Sequence, residues 1–331
     1  MTSSQLWPCA AVQRANLSAR CTLRVGGHAE WLLEPADPEQ LLEAWCAAVE
    51  YGGPRRLLGG GANLIVGDGL LPGVTISTER LRRVWRFVPP ELRAAGVENE
   101  TDDPFVEVAP RMAFPEVEEA PKLIAWAGTS MPGLVARAKD LGWSGLEGLA
   151  GVPGHLGGGV AMNAGGSWGE LWDVVERVRV IDESGQFRDL SRAECSPSYR
   201  HGNLGKQVVV AAVLALEPSH KKVVEEEVRR YLKHKREVQP VTEASAGCVF
   251  KNPDREQSDG LGAGQLVDIC GLKGRTLGGA QVSELHGNFI VNRGGATAAE
   301  VMELIGQVQA EVFEQRGVTL EREVKHWPTE G

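Results

Sequence analysis

The sequence predicts a mixed α/β fold in two domains, and three observations predict it. Segments of helical and strand periodicity alternate from about residue 20 onward, the composition changes abruptly near residue 219, and 331 residues exceed what one hydrophobic core usually serves. Taken in order, "DPEQLLEAWCAAVE" (37–50) repeats apolar residues at helical spacing behind Asp37 as a cap, which predicts a helix. "PGVTIST" and "RVRVIDESGQ" read as strands that run into turns. Val208 to Leu216 is a nine-residue apolar run closed by "EPSH", the pattern of a buried strand. It gives way at once to "KKVVEEEVRRYLKHKREVQP", a highly charged helix, so a domain boundary is expected there, dividing 1–218 from 219–331. Thr297 with Glu300 forms a capping box that opens a helix through about Gln315, and Gly317 can stop it. Residues 98–121 carry eight acidic groups against Arg111 and read as a solvated insertion in the first domain.

Composition excludes several classes of function. Lys plus Arg is 35 against 44 for Asp plus Glu, a net charge of −9 that argues against non-specific nucleic-acid binding. The nine-residue run is far short of the roughly 20 residues that a spanning helix needs, so no membrane span is expected. The first fifteen residues hold one basic residue, Arg14, and no apolar stretch before a cleavage site, so no secretory signal and a cytoplasmic location are expected. The cysteines (Cys9, Cys21, Cys46, Cys195, Cys248, Cys270) form no C-x-x-C pair and the histidines no H-x-x-x-H spacing, so reduced thiols and no metal site are expected.

Standard nucleotide motifs are missing too, since neither a P-loop nor a G-x-G-x-x-G after a strand occurs. What stands out is glycine, at 41 residues, gathered in two loops. In "RRLLGGGANLIVGDG" an apolar segment meets Gly59, Gly60 and Gly61, then Ala62, Asn63 and Leu64. Consecutive glycines let backbone N–H groups converge on an anion such as a pyrophosphate, although a tight strand-to-strand turn would use the same residues. The second loop, 145–166, has nine glycines in 22 positions, interleaved with Leu146, Leu149, Val152, Leu156, Val160 and Met162. Flexible linkers are polar, whereas this loop is apolar and is expected to be ordered, with its backbone close to something flat or bulky. In "ASAGCVFKNPD", Cys248 precedes Lys251 and Asn252. A thiol that holds its proton at neutral pH can donate it to a carbanion, although a small core cysteine reads the same way.

The order of these motifs, from "TLRVGGHAE" (22–30) through "LLGGGANLIV", "GLEGLAGVPGHLGG", "MNAG", "AGCVFKNP" and "GGAQVSELHGNFIVN" to "LEREV", resembles the UDP-N-acetylenolpyruvoylglucosamine reductase (MurB) family over about nine-tenths of the chain. The resemblance implies an α+β fold: an FAD-binding domain of the vanillyl-alcohol-oxidase (PCMH) type, then a C-terminal substrate domain. It implies non-covalent FAD, NADPH as hydride donor, and a UDP-sugar enolpyruvyl ether as substrate, in peptidoglycan precursor synthesis. By motif match, Gly59, Gly60, Gly61, Ala62, Asn63 and Leu64 cradle the FAD pyrophosphate, and Gly148, Gly151, Val152, Gly154, Gly158 and Asn163 lie along the cofactor. Hydride addition places negative charge on an enolate-like carboxylate, which a prearranged cation must meet. The match gives this role to Arg200, with Glu323 on the same face as a protonated hydrogen-bond donor of raised pKa. Proton donation falls to Cys248. Tyr199, Arg236, Lys251, Asn252, Lys273 and His286 are assigned to the substrate or nicotinamide pocket.

The short chain between Arg200 and Val208 suits the compact subgroup without an extra tyrosine-bearing loop, and a monomer is expected. The departures from the family pattern are Cys248 in place of the commoner serine, Ala62 in place of a frequent serine, His155 in place of a small hydroxyl residue, and the acidic stretch. A thiol is the stronger acid, which predicts retained activity together with sensitivity to alkylation. Two alternatives remain at this level: an FAD-dependent oxidase of the same architecture, for which "GGGANL" offers no His or Cys tether, and a non-catalytic flavin-binding module.

Overall fold

A computed structural model describes residues 7–87, 103–105 and 121–329. The chain begins with strands β1 (Ala10–Asn16) and β2 (His28–Glu34), helix α1 (Pro38–Tyr51), and strands β3 (Arg55–Leu58), β4 (Leu64–Val66) and β5 (Leu70–Ser77). The expected first helix forms for the expected reason: the Asp37 carboxylate accepts the Gln40 N–H at 2.8 Å, and Pro38 occupies the first turn, where its missing N–H costs nothing. A sheet of order β1-β2-β5-β3 results, antiparallel between β1 and β2 and parallel elsewhere. The first glycine loop is the link from β3 to β4.

A second unit follows: β6 (Val84–Arg86), β7 (Lys122–Trp126), α2 (Met131–Leu141), the short helix α3 (Leu156–Ala161), β8 (Val175–Ile181), β9 (Phe187–Ser191), α4 (Arg192–Cys195), β10 (Val208–Ala215) and α5 (Lys221–Val238). Its sheet is antiparallel, in the order β9-β8-β10-β7-β6. The apolar run from Val208 is central in this sheet and buried on both faces, as an unbroken hydrophobic strand must be. Ile181, Val208 and Val210 share a core with α1 and β5, which locks the first two units together. Helix α5 packs on the core of the second unit through Val228, Tyr231 and Leu232, so the expected division at residue 219 falls at the start of a helix whose apolar face looks back. Of the acidic stretch, 98–102 and 106–120 lie outside the described residues. Asp103 accepts a hydrogen bond from Arg179 at 2.8 Å, and Phe105 sits under the same guanidinium at 4.4 Å, so this described part is tied to the sheet.

The last unit contains β11 (Ser245–Cys248), α6 (Ala263–Ile269), β12 (Thr276–Leu277), β13 (Ala280–Val282), β14 (Phe289–Asn292), α7 (Ala298–Arg316) and β15 (Lys325–Trp327). Its sheet runs β11-β14-β13-β12, covered by α6 and α7. The predicted capping box of α7 is present at Thr297 and Glu300, and Gly317 ends the helix with φ 68°, which glycine adopts without a Cβ penalty. Strand β15 returns to pair in parallel with β4, bringing the chain end beside the first glycine loop. Fold and topology agree with an α+β protein. Among the described residues no helix is long and apolar enough to cross a membrane.

Candidate active site

A cleft of about 1530 Å³ lies where the three units meet. One wall is the first glycine loop, with Gly59, Gly60, Gly61, Ala62, Asn63 and Leu64 all facing it. The second loop supplies Gly151, Val152, Gly154 and Gly158, and the loops touch each other: a Cβ on Gly60 would stand 2.7 Å from the Gly154 Cα. Past His155 the cleft adjoins a second cavity of about 690 Å³ that carries Arg20, Arg80 and Arg82.

The third wall comes from the C-terminal unit. In β11 an irregularity in pairing with β14 coincides with Gly247 at φ 78°, and the next residue, Cys248, faces the cleft. Beyond it, Val249 is hydrogen-bonded through its carbonyl to the N–H of Glu323 at 2.8 Å, which sets Glu323 beside Cys248. Asn63 holds the same segment, donating to the Glu323 carbonyl at 3.3 Å and accepting from the Lys325 N–H at 3.1 Å. Arg200 arrives from a two-residue turn between Ser198 and His201, where it adopts φ 57°, a conformation usually left to glycine. Such strain is kept where the side chain is needed. Arg200 Nε donates to Glu323 Oε1 at 2.6 Å, with the two side chains 14% and 11% exposed. Tyr199 lies beneath the guanidinium, 4.8 Å from ring centre to Cζ.

Burial sets the protonation of this cluster. It raises Glu323 above the ordinary carboxylate range, and the opposing pull of Arg200 does not cancel it. The Cys248 thiol is pushed up to about 12, chiefly by burial, with Glu323 adding to the rise and Arg200 and Lys235 opposing it. A thiol so placed is almost wholly protonated at neutral pH. That suits a proton donor, and it works against alkylation at neutral pH, since the thiolate is the nucleophile. Lys235, buried on α5 at 7% exposure, is lowered by burial to about 8.

Most residues expected from the sequence come together here, and four do not. Asn252, Lys273 and His286 line the cleft: Asn252 caps α6 by accepting the Ala263 N–H, Lys273 pairs with Asp268 at 2.6 Å, and His286 Nδ1 accepts from Asn288 N–H. Gly148 is off the cleft, where a Cβ would collide with the Trp168 carbonyl oxygen. Asn163 is buried, donating to Glu170 and to the Ser198 carbonyl, so it holds the turn that carries Arg200. Lys251 pairs outward with Glu321 at 2.6 Å. Arg236 points to solvent, and its helical neighbour Lys235 takes the cleft position instead. Trp168, Tyr231 and His234 also line the cleft without having been singled out, Trp168 stacking on Tyr231 at 4.7 Å.

The residues present fit FAD. Two glycine backbones flank a cleft larger than the 300–1,000 Å³ usual for one small ligand. Gly158 has nothing within 4 Å of where a Cβ would stand, and buried His155 Nδ1 lacks a partner at the junction of the two cavities.

Comparison with known proteins agrees with this geometry. Residues 112–191 match the FAD binding domain model, and residues 239–327 match the C-terminal domain model of UDP-N-acetylenolpyruvoylglucosamine reductase. The enzyme of that name from Synechococcus sp. strain WH7803 is 39% identical over 95% of this chain and 92% of its own length. Its counterpart from Moorella thermoacetica is 38% identical over 94% and 91%. The crystal structure of the Thermus caldophilus reductase superposes with TM-score 0.72 at 33% identity, covering 96% of this chain and 98% of that one. With glycine-lined cleft, half-buried thiol and guanidinium–carboxylate pair all in one place, the chain belongs to the UDP-N-acetylenolpyruvoylglucosamine reductase family.

Proposed function

We propose that this chain reduces UDP-N-acetylenolpyruvoylglucosamine to UDP-N-acetylmuramate, with Cys248 as proton donor, Arg200 as the receiver of carboxylate charge and Glu323 as their hydrogen-bonding partner. Bound FAD supplies the hydride for the alkene, having received it from NADPH. The two glycine loops hold the cofactor, and beyond His155 the adjoining cavity sets Arg20, Arg80 and Arg82 beside Glu34 and Glu79, with Arg20 and Arg82 in ion pairs.

The residue roles follow from charge. As the substrate alkene is reduced, negative charge spreads into its carboxylate, and a fixed guanidinium lowers that barrier without reorganising. The hydrogen bond to Glu323 takes Arg200 Nε and orients the remainder of the guanidinium. Cys248 then gives its proton to the carbon that bears the carboxylate. Its high pKa keeps the proton in place until a carbanion, a far stronger base, appears. Glu323, raised by burial, can carry a proton and donate from the oxygen that Arg200 leaves unused. The single observation that carries the reading is the meeting of Cys248, Arg200 and Glu323, 123 residues apart in the case of the last two, on one cleft between glycine loops. We assign the cytoplasm and a monomeric state on the sequence's grounds, and place the domain division after α5, whose apolar face belongs to the FAD-binding unit.

Rapid-mixing kinetics tests the roles. Cys248→Ala and Arg200→Ala are expected to bleach with NADPH at near wild-type rate, while flavin reoxidation by the enolpyruvyl substrate slows by about 10²–10⁴. Equal loss in both half-reactions would falsify the assignment.

A further inference from the structure

Leu58, Gly59, Gly60 and His155 line both the cleft of about 1530 Å³ and the adjoining cavity of about 690 Å³. The imidazole of His155 lies on the first glycine loop, its Cδ2 3.1 Å from where a Gly60 Cβ would stand. Its two nitrogens have different surroundings. Nδ1 is buried and has no hydrogen-bond partner. Nε2, next to Cδ2 on the edge that meets the loop, also bonds to no protein atom among the described residues, but it is not buried. A proton on Nδ1 would bury a donor with nothing to accept it, whereas a proton on Nε2 leaves only a lone pair buried, the better tolerated of the two. Charging the ring would bury the unpartnered donor as well. Burial and the neighbouring Arg82 hold the imidazole below its ordinary range, with Glu79 opposing. His155 is therefore neutral at pH 7 and presents Nε2–H to the space between the cavities. Both carboxylates of the smaller cavity are engaged: Arg20 pairs with Glu34 at 2.7 Å and with Glu79 at 2.8 Å, and Arg82 with Glu79 at 2.6 Å. Arg80 has no ion pair among the described residues, so positive charge is left over beside the junction.

We propose that His155 is a neutral hydrogen-bond donor to the diphosphate of FAD, its Nε2–H meeting a phosphate oxygen where the cofactor crosses from one cavity to the other. A dinucleotide has the shape that two joined cavities ask for: two bulky planar ends and a narrow anionic link. The link needs donors without Cβ atoms in its way, which Gly59 and Gly60 provide from the other side of the junction. A hydrogen bond from a neutral ring to an ionised oxygen is among the stronger kinds, and it satisfies the one nitrogen of His155 that a ligand can reach. The proposal rests on FAD being the cofactor and is independent of the roles given to Cys248, Arg200 and Glu323.

A matched pair of variants tests it, because Met and Gln have side chains of equal length and only Gln ends in an N–H donor. Isothermal titration of the flavin-free full chain with FAD gives the affinity, and phosphorus NMR of the FAD-loaded protein observes the diphosphate itself. His155→Met is expected to bind FAD about 10- to 100-fold more weakly, the scale of one hydrogen bond to a charged group. His155→Gln is expected to stay within about threefold of wild type. The two phosphorus resonances of bound FAD are expected to move in His155→Met while the visible flavin band keeps its position, since the lost contact is at the diphosphate and not at the ring. Equal weakening by Met and Gln would assign His155 to wall packing and overturn the proposal. Wild-type affinity with unmoved phosphorus resonances in His155→Met overturns it as well. If the wild-type chain itself binds no FAD, it is the parent reading of the cofactor that fails.

Discussion

The two glycine loops face one cleft and look alike in sequence, yet their glycines answer to different demands. In the first loop two of the three glycines serve contact between backbones: Gly60 approaches Gly154, and Gly61, at φ 58°, packs against the Arg20 carbonyl, while Gly59 meets only the His155 Cβ at 4.0 Å. The second loop mixes two kinds. Gly148 and Gly157 are pressed against Trp168 and Ala127, and Gly151 supports the stem of Lys235, whereas Gly158 opens on empty space. Density of glycine therefore records how tightly the cleft walls pack on one another, and of the cleft-lining glycines Gly158 and Gly166, whose Cβ positions are open, are the ones left for a ligand to meet.

The largest effect that would sharpen this contrast is at Gly148. Gly148→Ala places a methyl against the Trp168 carbonyl oxygen, and backbone cannot step aside as a side chain can. A loss above about 3 kcal/mol is expected, beyond ordinary overpacking, measured by denaturant unfolding of the apoprotein. A neutral result would show that the segment after Trp168 yields, and would dissolve the distinction between packed and open glycines.

Next in size is the charge that Gly151 supports. Lys235 has its folded pKa lowered from 10.5 to about 8, so the folded state resists protonation between those values. Below pH 8 the lysine is charged in both states and the burial penalty is full, at most about 3 kcal/mol; above 10.5 it is neutral in both and the penalty is gone. Lys235→Met is accordingly expected to raise the apoprotein melting temperature at pH 7, with the advantage shrinking from pH 8 to 10.5. A variant less stable than wild type at pH 7 would mean that the lysine has an anionic partner in the free protein.

Much of this was legible before any coordinates. Asp37, Thr297, Glu300 and Gly317 marked helix ends because capping is local chemistry, and the run from Val208 had to be a central strand because every side chain in it is apolar. The meeting of Cys248, Arg200 and Glu323 was legible only through the order of motifs, since the contact spans units that no local rule connects. Lys235 was within reach and missed. Val224, Val228, Tyr231 and Lys235 share one face of α5 at spacings of four, three and four, so extending the apolar stripe by one turn lands on the lysine, whereas Arg236 is rotated about 100° away. The positions of Gly148 and Asn163 were not legible. Whether a glycine or asparagine in a loop faces ligand or protein depends on partners such as Trp168 and Ser198, fixed by the tertiary fold.

The smallest effect in stability is the most informative about the cofactor. Gly158 lies inside α3 with open space at its Cβ position, so Gly158→Ala meets no protein atom and gains helix propensity, up to about 1 kcal/mol. Its methyl would project into the cleft between the glycine loops, where bound FAD would meet it. The apoprotein is expected to melt at or above the wild-type temperature while FAD binds about tenfold or more weakly, the scale of one extra methyl in a filled site. Isothermal titration of apoprotein with FAD reads the second quantity directly. Unchanged affinity would mean that the flavin does not touch this wall, and the division between packed and open glycines would then say nothing about where the ligand sits.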